Sequence, residues 1–205
     1  MAATSGLGQG SEFSTNGCES ATSLSPPRIP PVRREEWTNA TRDVFAVYEG
    51  KEGWENGSKF HLIHMLANHP VLAQGWLSYN KVLTRGHLPA KLRELVILRV
   101  ARLNGSDYEW SMHVDIGQGV GVGPEHFAAL QQGPEATLWS DLERHALRAA
   151  DQLCTAHDID EQTWNFLARE LDVRQLLELL FLIGSYTMLS WIFAAIRLPL
   201  EGKLE

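Results

Sequence analysis

Between Ser106 and Val122 the chain reads SDYEWSMHVDIGQGVGV, setting a tyrosine, a tryptophan, acids and a histidine ahead of a run of glycines. If this stretch is helical, Ser106, Glu109, Trp110 and His113 fall on one stripe, at spacings of three, four and seven, and can share a pocket. Histidine exchanges protons near neutral pH, and a carboxylate one turn away can trade a proton with it. The stripe therefore holds the groups needed for general acid–base catalysis.

A second acid belongs with it. In LPAKLRELVILRVARLNG, read as a helix, the same-face neighbours of Glu94 are Ala90, Ile97, Leu98 and Ala101, while Lys91, Arg99 and Arg102 lie on another arc. The Glu94 carboxylate thus points into a core, where an unpaired charge is costly. It must have a partner or keep its proton with a raised pKa. Two roles fit: a structural pair with an arginine such as the partner subunit's Arg93, and a tuned acid or base. The turn at LNGS is short enough to fold the next helix back and bring His113 within reach of Glu94.

The elements that must position these groups read as helices throughout, with no convincing strand. The spacing predicts a helix over Arg34–Tyr48, a Gly-rich loop at EGKEGWENGS, and a helix capped by Ser58 that carries KFHLIHMLAN and breaks at Pro70. A third helix covers Val71–Thr84. The fourth, carrying Glu94, has Pro89 in its first turn and stops at Asn104 and Gly105. Ser106 or Asp107 caps the fifth, which ends in GQGVGVGPEH. A short helix follows, then Ser140–Ala156, Asp160–Leu171 and Val173–Ile196. The fold class is all-α, a helical bundle.

Composition narrows the function. The chain has 205 residues, 18 Lys plus Arg against 25 Asp plus Glu, and a net charge of −7. No basic run could follow a phosphate backbone, so nucleic acid is not expected as a partner. Cys18 and Cys154 form no CxxC or other metal spacing, which suits a reducing, cytoplasmic setting. Residues 1–27 read as a disordered tail, followed by a proline strap and one domain over 28–205. Leu179–Ile196 is eighteen residues without a formal charge, long enough to span a membrane. It also holds Gly184, Ser185, Thr187 and Ser190 and follows Glu178, and it is read as a buried core helix rather than an anchor. In HLIHMLANH, His61 and His64 lie one turn apart and His69 falls beside Pro70, beyond the helix. These are read as packing and surface histidines, and no metal is expected.

The segment LPAKLRELVILRVARLNGSDYEWSMHVDIGQGVGVGPEHFAAL resembles the carboxymuconolactone decarboxylase family, whose members share the all-helical fold of the alkylhydroperoxidase AhpD. FHLIHMLANHPVLAQGWLSY is similar to the helix pair that precedes the motif, and DVRQLLELLFLIGSYTMLSWIFAAI to the closing helix, so the resemblance runs from about Arg28 to Leu200. It implies subunits that assemble as a homotrimer or homohexamer, which would cover the apolar last helix. In the peroxidase branch an acid precedes CxxC and a histidine. Glu94 and His113 match the acid and the histidine, but Ser106 and Glu109 stand where the cysteines would be. The resemblance therefore excludes thiol peroxidase activity and points to the decarboxylase-type branch.

The implied reaction needs no cofactor: a small unsaturated lactone or keto acid loses carbon dioxide into its own conjugated carbonyl. His113 would deliver the proton, Glu94 would orient and charge it, and Glu109 would serve as a second acid, base or acceptor. Tyr108 and Trp110 would shape the pocket, and Tyr186 on the last helix would face it. Trp76 and Tyr79 are read as ordinary packing. Isomerisation, dehydration and non-catalytic binding of a small molecule use the same residues and remain alternatives. The closing helix reads YTMLSWIFAAI where the family pattern has a more polar YH and a later asparagine, which fits a specialised pathway such as secondary metabolism.

Overall fold

The computed structural model describes residues 26–202, and among these there are helices but no strand. In chain order they are α1 (Asn39–Glu49), α2 (Lys51–Asn56), α3 (His61–Leu66), α4 (Pro70–Thr84), α5 (Ala90–Leu103), α6 (Asp107–Gly119), α7 (Pro124–Gln132), α8 (Asp141–Thr155), α9 (Glu161–Glu170) and α10 (Val173–Ile196). The expected all-α bundle is present. Cys18 and most of the expected tail lie outside the described residues.

α5 is the central post. It packs against α6, α7, α8 and α10, and its buried residues serve two cores on opposite sides. Leu92, Val96, Ile97 and Val100 enter a large cluster shared with α8, α9 and α10. Leu95 and Leu98 enter a smaller one with Val122, Leu130 and Trp139. A helix apolar on so much of its circumference must be enclosed, and that enclosure is what buries Glu94. A third cluster, built on Val44, Phe45, Ile63, Ala73 and Leu77, holds the N-terminal helices to α4.

Several starts follow local rules. Ser106, Ser140, Asp160 and Asp172 each accept a backbone N–H at the head of α6, α8, α9 and α10. Three expectations need correction. The helix expected from Arg34 is a single 3-10 turn at Arg34–Glu36, and α1 restarts behind Thr38, whose hydroxyl accepts from Thr41. The expected loop at EGKEGWENGS contains α2, where Gly53 lets the helix sit directly on Phe45 of α1; a Cβ there would lie 2.4 Å from the Phe45 carbonyl oxygen. Ser58 does not cap α3: its hydroxyl donates to Glu49, and the free N–H of His61 is taken by Glu201, near the other end of the chain.

α10 is 24 residues long and apolar enough to cross a membrane by length and composition, with half of its most apolar stretch buried in the subunit. Leu179, Leu182, Ile183, Tyr186, Leu189 and Phe193 face the main core. Leu177, Phe181, Met188, Trp191 and Ile192 face outward, with Trp191 63% exposed.

Candidate active site

α5 and α6 are antiparallel neighbours because the turn between them is tight. Gly105 takes a positive φ of 63°, which a side chain would resist, and the Ser106 N–H closes back on the Ala101 carbonyl at 2.9 Å. Ser106 then caps α6 through the Glu109 N–H. Together these fix the register that brings one turn of α6 over the buried face of α5.

Glu94 is 2% exposed. His113 Nδ1 donates to Glu94 Oε2 at 2.7 Å, and Arg93 Nε donates to Oε1 at 3.0 Å. Both partners come from the same chain, so the arginine expected from another subunit is the residue next door. Burial alone would raise the Glu94 carboxyl, but the hydrogen bonds and charges of His113 and Arg93 outweigh it and hold the group below the usual carboxylate range. Glu94 is therefore a standing negative charge that fixes the imidazole.

The other imidazole nitrogen, Nε2, faces Glu109 Oε2 at 3.5 Å. Glu109 is 4% exposed and has no arginine. Burial pushes its carboxyl up to about 7, His113 opposing the rise and Glu94 adding to it. Two carboxylates flanking one imidazole have thus been driven apart, one held ionised and the other poised to exchange a proton at neutral pH. Tyr186 packs edge-on against the His113 ring, with centroids 5.1 Å apart at 84°. Burial, with the nearby Glu109 and Glu94, lifts its phenol well above the ordinary value.

What this cluster leaves unpaired is informative. Among the described residues, only Glu49 and Trp76 have fully enclosed side-chain polar atoms without a partner. The Glu109 carboxyl, the Tyr186 hydroxyl and the terminal nitrogens of Arg93 have no hydrogen-bond partner among those residues either, although Glu109 and Tyr186 are only 4% and 3% exposed. Unpaired polar groups gathered around one imidazole are the kind of groups that orient a small molecule.

Two expected pocket residues point elsewhere. The Tyr108 hydroxyl donates to Glu201 and its ring packs edge-on against Phe193; burial and Glu201 together raise its pKa. Trp110 packs against Phe127 of α7 at 6.1 Å, inside the second cluster. Cys154, on α8, lies against Thr187 and Asn104, away from the stripe. The three histidines of HLIHMLANH have separate partners: His61 meets the Pro199 carbonyl, His64 the Ser58 carbonyl, and His69 caps α4 through the Leu72 N–H. The pairing of Arg93 with Glu94 of its own chain is signalled in the sequence only by their adjacency.

Residues 70–152, which include Glu94 and His113, match the model of the carboxymuconolactone decarboxylase family. Among solved structures, the chain is similar to an alkylhydroperoxidase AhpD core, an uncharacterized peroxidase-related protein from Ralstonia eutropha JMP134. That pair has a TM-score of 0.71 and 14% identity over 86% of this chain and 93% of that one. A peroxidase-related protein from Silicibacter sp. TM1040 gives 0.69 and 15% over 86% and 94%. The debrominase Bmp8 in complex with 2,3,4-tribromopyrrole gives 0.66 and 19% over 85% and 91%. At such identities the likeness is one of fold. No curated protein matches the sequence.

Proposed function

From an AhpD-like fold carrying a carboxymuconolactone decarboxylase family segment, we propose a cofactor-independent acid–base enzyme, a carboxy-lyase acting on a small unsaturated lactone or keto acid. The observation that carries this reading is the unequal pair of carboxylates on His113: Glu94 ionised at Nδ1, Glu109 near neutrality at Nε2. In the reaction, the bond to the departing carboxylate breaks and its electron pair moves into the conjugated carbonyl, releasing carbon dioxide and leaving an enolate. His113 delivers the Nε2 proton to the enolate carbon. Glu94 stabilises the imidazolium beforehand, and Glu109 returns a proton to Nε2 afterwards.

Among the described residues, a thiol route of the peroxidase kind has no cysteine to use at this site, since Ser106 and Glu109 occupy the stripe and Cys154 lies elsewhere. The 3.5 Å approach of Glu109 to His113 also supports a proton shift, with one group taking and the other giving. That second reading makes the protein an isomerase or dehydratase on the same site. The test is a screen of carboxylated unsaturated lactones and keto acids, reading carbon dioxide release beside substrate loss. Release favours the lyase; loss without release favours the isomerase or dehydratase. Tight binding without change of any candidate would leave a non-catalytic small-molecule binder.

We further propose a cytoplasmic protein that assembles as a homotrimer or homohexamer; assembly is supported by the exposed apolar stripe of α10, Leu177, Phe181, Met188, Trp191 and Ile192, a surface of the kind that a partner subunit commonly covers. Light scattering at micromolar concentration should find the oligomer. A monomer would sink this part of the reading, and recovery only in detergent would favour a membrane anchor.

A further inference from the structure

Arg93 is the member of the cluster whose residue type the proton transfers do not require. Its side chain is 12% exposed, and its Nε is held by Glu94 at 3.0 Å. Guanidinium carries five N–H donors in a rigid plane. Among the described residues nothing accepts from the two terminal nitrogens, and they are not fully enclosed. Arg93 also lies close enough to Tyr186 for its charge to oppose the rise of that phenol. The plane is thus fixed on one edge by Glu94, itself bonded to His113, and its other edge has no partner among the described residues.

A guanidinium arranged in this way is a preorganised receptor for a planar anion through two parallel N–H···O bonds. The anion it suits is not the group that departs. Gripping the departing carboxylate would stabilise it as an anion, and that charge must leave as neutral carbon dioxide is formed, so the grip would slow the step. Resting on the acid–base reading, we propose that the terminal nitrogens of Arg93 bind a second carboxylate that the substrate keeps throughout, and that Arg93 thereby selects anionic substrates and sets the reacting carbon against His113 Nε2.

The test needs no turnover, so its failure is distinct from failure of the proposed chemistry. Sorbate, a small conjugated carboxylate, and its primary amide are titrated into wild type, Arg93→Gln and Arg93→Lys while the imidazole resonances of His113 are followed by NMR. Sorbate should shift those resonances in wild type, and its affinity should fall roughly 10- to 100-fold in Arg93→Gln, the worth of a charge-assisted bidentate contact. Arg93→Lys, which keeps the charge and loses the fork, should bind sorbate with intermediate affinity, and it carries the test if the glutamine variant does not fold. The amide should bind all three proteins alike. Equal sorbate affinity in wild type and both variants, or an amide that weakens as much as the acid, would overturn the proposal, as would the absence of any shift in wild type at millimolar sorbate. If sorbate binding depends on Arg93 while no substrate is ever turned over, the anion site stands and the acid–base reading fails.

Discussion

Among the described residues, two histidine–carboxylate pairs share one length. His87 Nδ1 meets Glu178 at 2.7 Å, and His113 Nδ1 meets Glu94 at 2.7 Å. Glu178 also accepts the backbone N–H groups of His87 at 2.6 Å and Leu88 at 2.9 Å, so donors surround its carboxylate. Its histidine is on the surface, with a side chain 55% exposed. Burial raises the Glu178 carboxyl less than those hydrogen bonds lower it, and the group ends below the usual range. That pair is a clasp holding the α4–α5 loop to α10, and Gly86 is pressed so close that a Cβ would lie 2.5 Å from the carboxylate. The pair on α5 and α6 has the opposite balance. Its histidine is enclosed, its second nitrogen faces an acid pushed up to about 7, and nearby donors and acceptors are left open. A polar cluster that satisfies itself supports the fold, whereas one that is fixed yet unfinished is suited to chemistry.

The sharpest way to break the contrast is to damage each pair and read both activity and stability. His113→Ala and Glu94→Gln should each lower turnover by roughly 10²- to 10⁴-fold, the usual contribution of a positioned acid or base, with helical circular dichroism retained. Groups that act as a unit are non-additive, so the double variant should be little worse than the poorer single one. Glu178→Ala should leave turnover near wild type and cost about 1–3 kcal/mol in denaturant unfolding, the penalty for stranding its donors.

Glu178 and Glu109 should also respond to pH with opposite signs. Glu178 is held below its ordinary 4.5, so its stabilising effect is complete above that value and is lost as pH falls through the folded pKa. Glu109 is raised from 4.5 to about 7. Folded protein then binds the extra proton between these values, and stability falls as pH rises through that window. Glu109→Gln should therefore unfold less readily than wild type at pH 8, by about 1–3 kcal/mol, with little difference at pH 4. It should also remove an inflection near neutrality from the rate profile. The smallest expected effect is that of Cys154→Ser, whose sulfur meets Thr187 and Asn104 at the margin of the main core, away from the stripe; its activity should match wild type in a direct rate comparison.

Much of the working cluster was legible because helical geometry is local. The apolar neighbours of Glu94 foretold its burial, and the brevity of LNGS foretold the return of His113. The same geometry limits the stripe. At about 100° per residue, Tyr108 stands about 140° around α6 from His113, and Trp110 about 60° to the side away from Glu109. Tyr108 accordingly turns to Glu201 and Trp110 to α7. Other features depended on distant residues: the N–H of His61 is answered by Glu201, a pairing that no local pattern encodes. α2 was hidden by its own glycines, which suit a loop in isolation and close packing on α1 in the fold.

One measurement bears most directly on the central claim, that His113 works and His87 holds. It is the turnover of a single active substrate, found among the carboxylated lactones and keto acids, by wild type, His113→Ala and His87→Ala under the same conditions. The account predicts a loss of roughly 10²- to 10⁴-fold for His113→Ala and a rate for His87→Ala indistinguishable from wild type. Wild-type turnover by folded His113→Ala would contradict it.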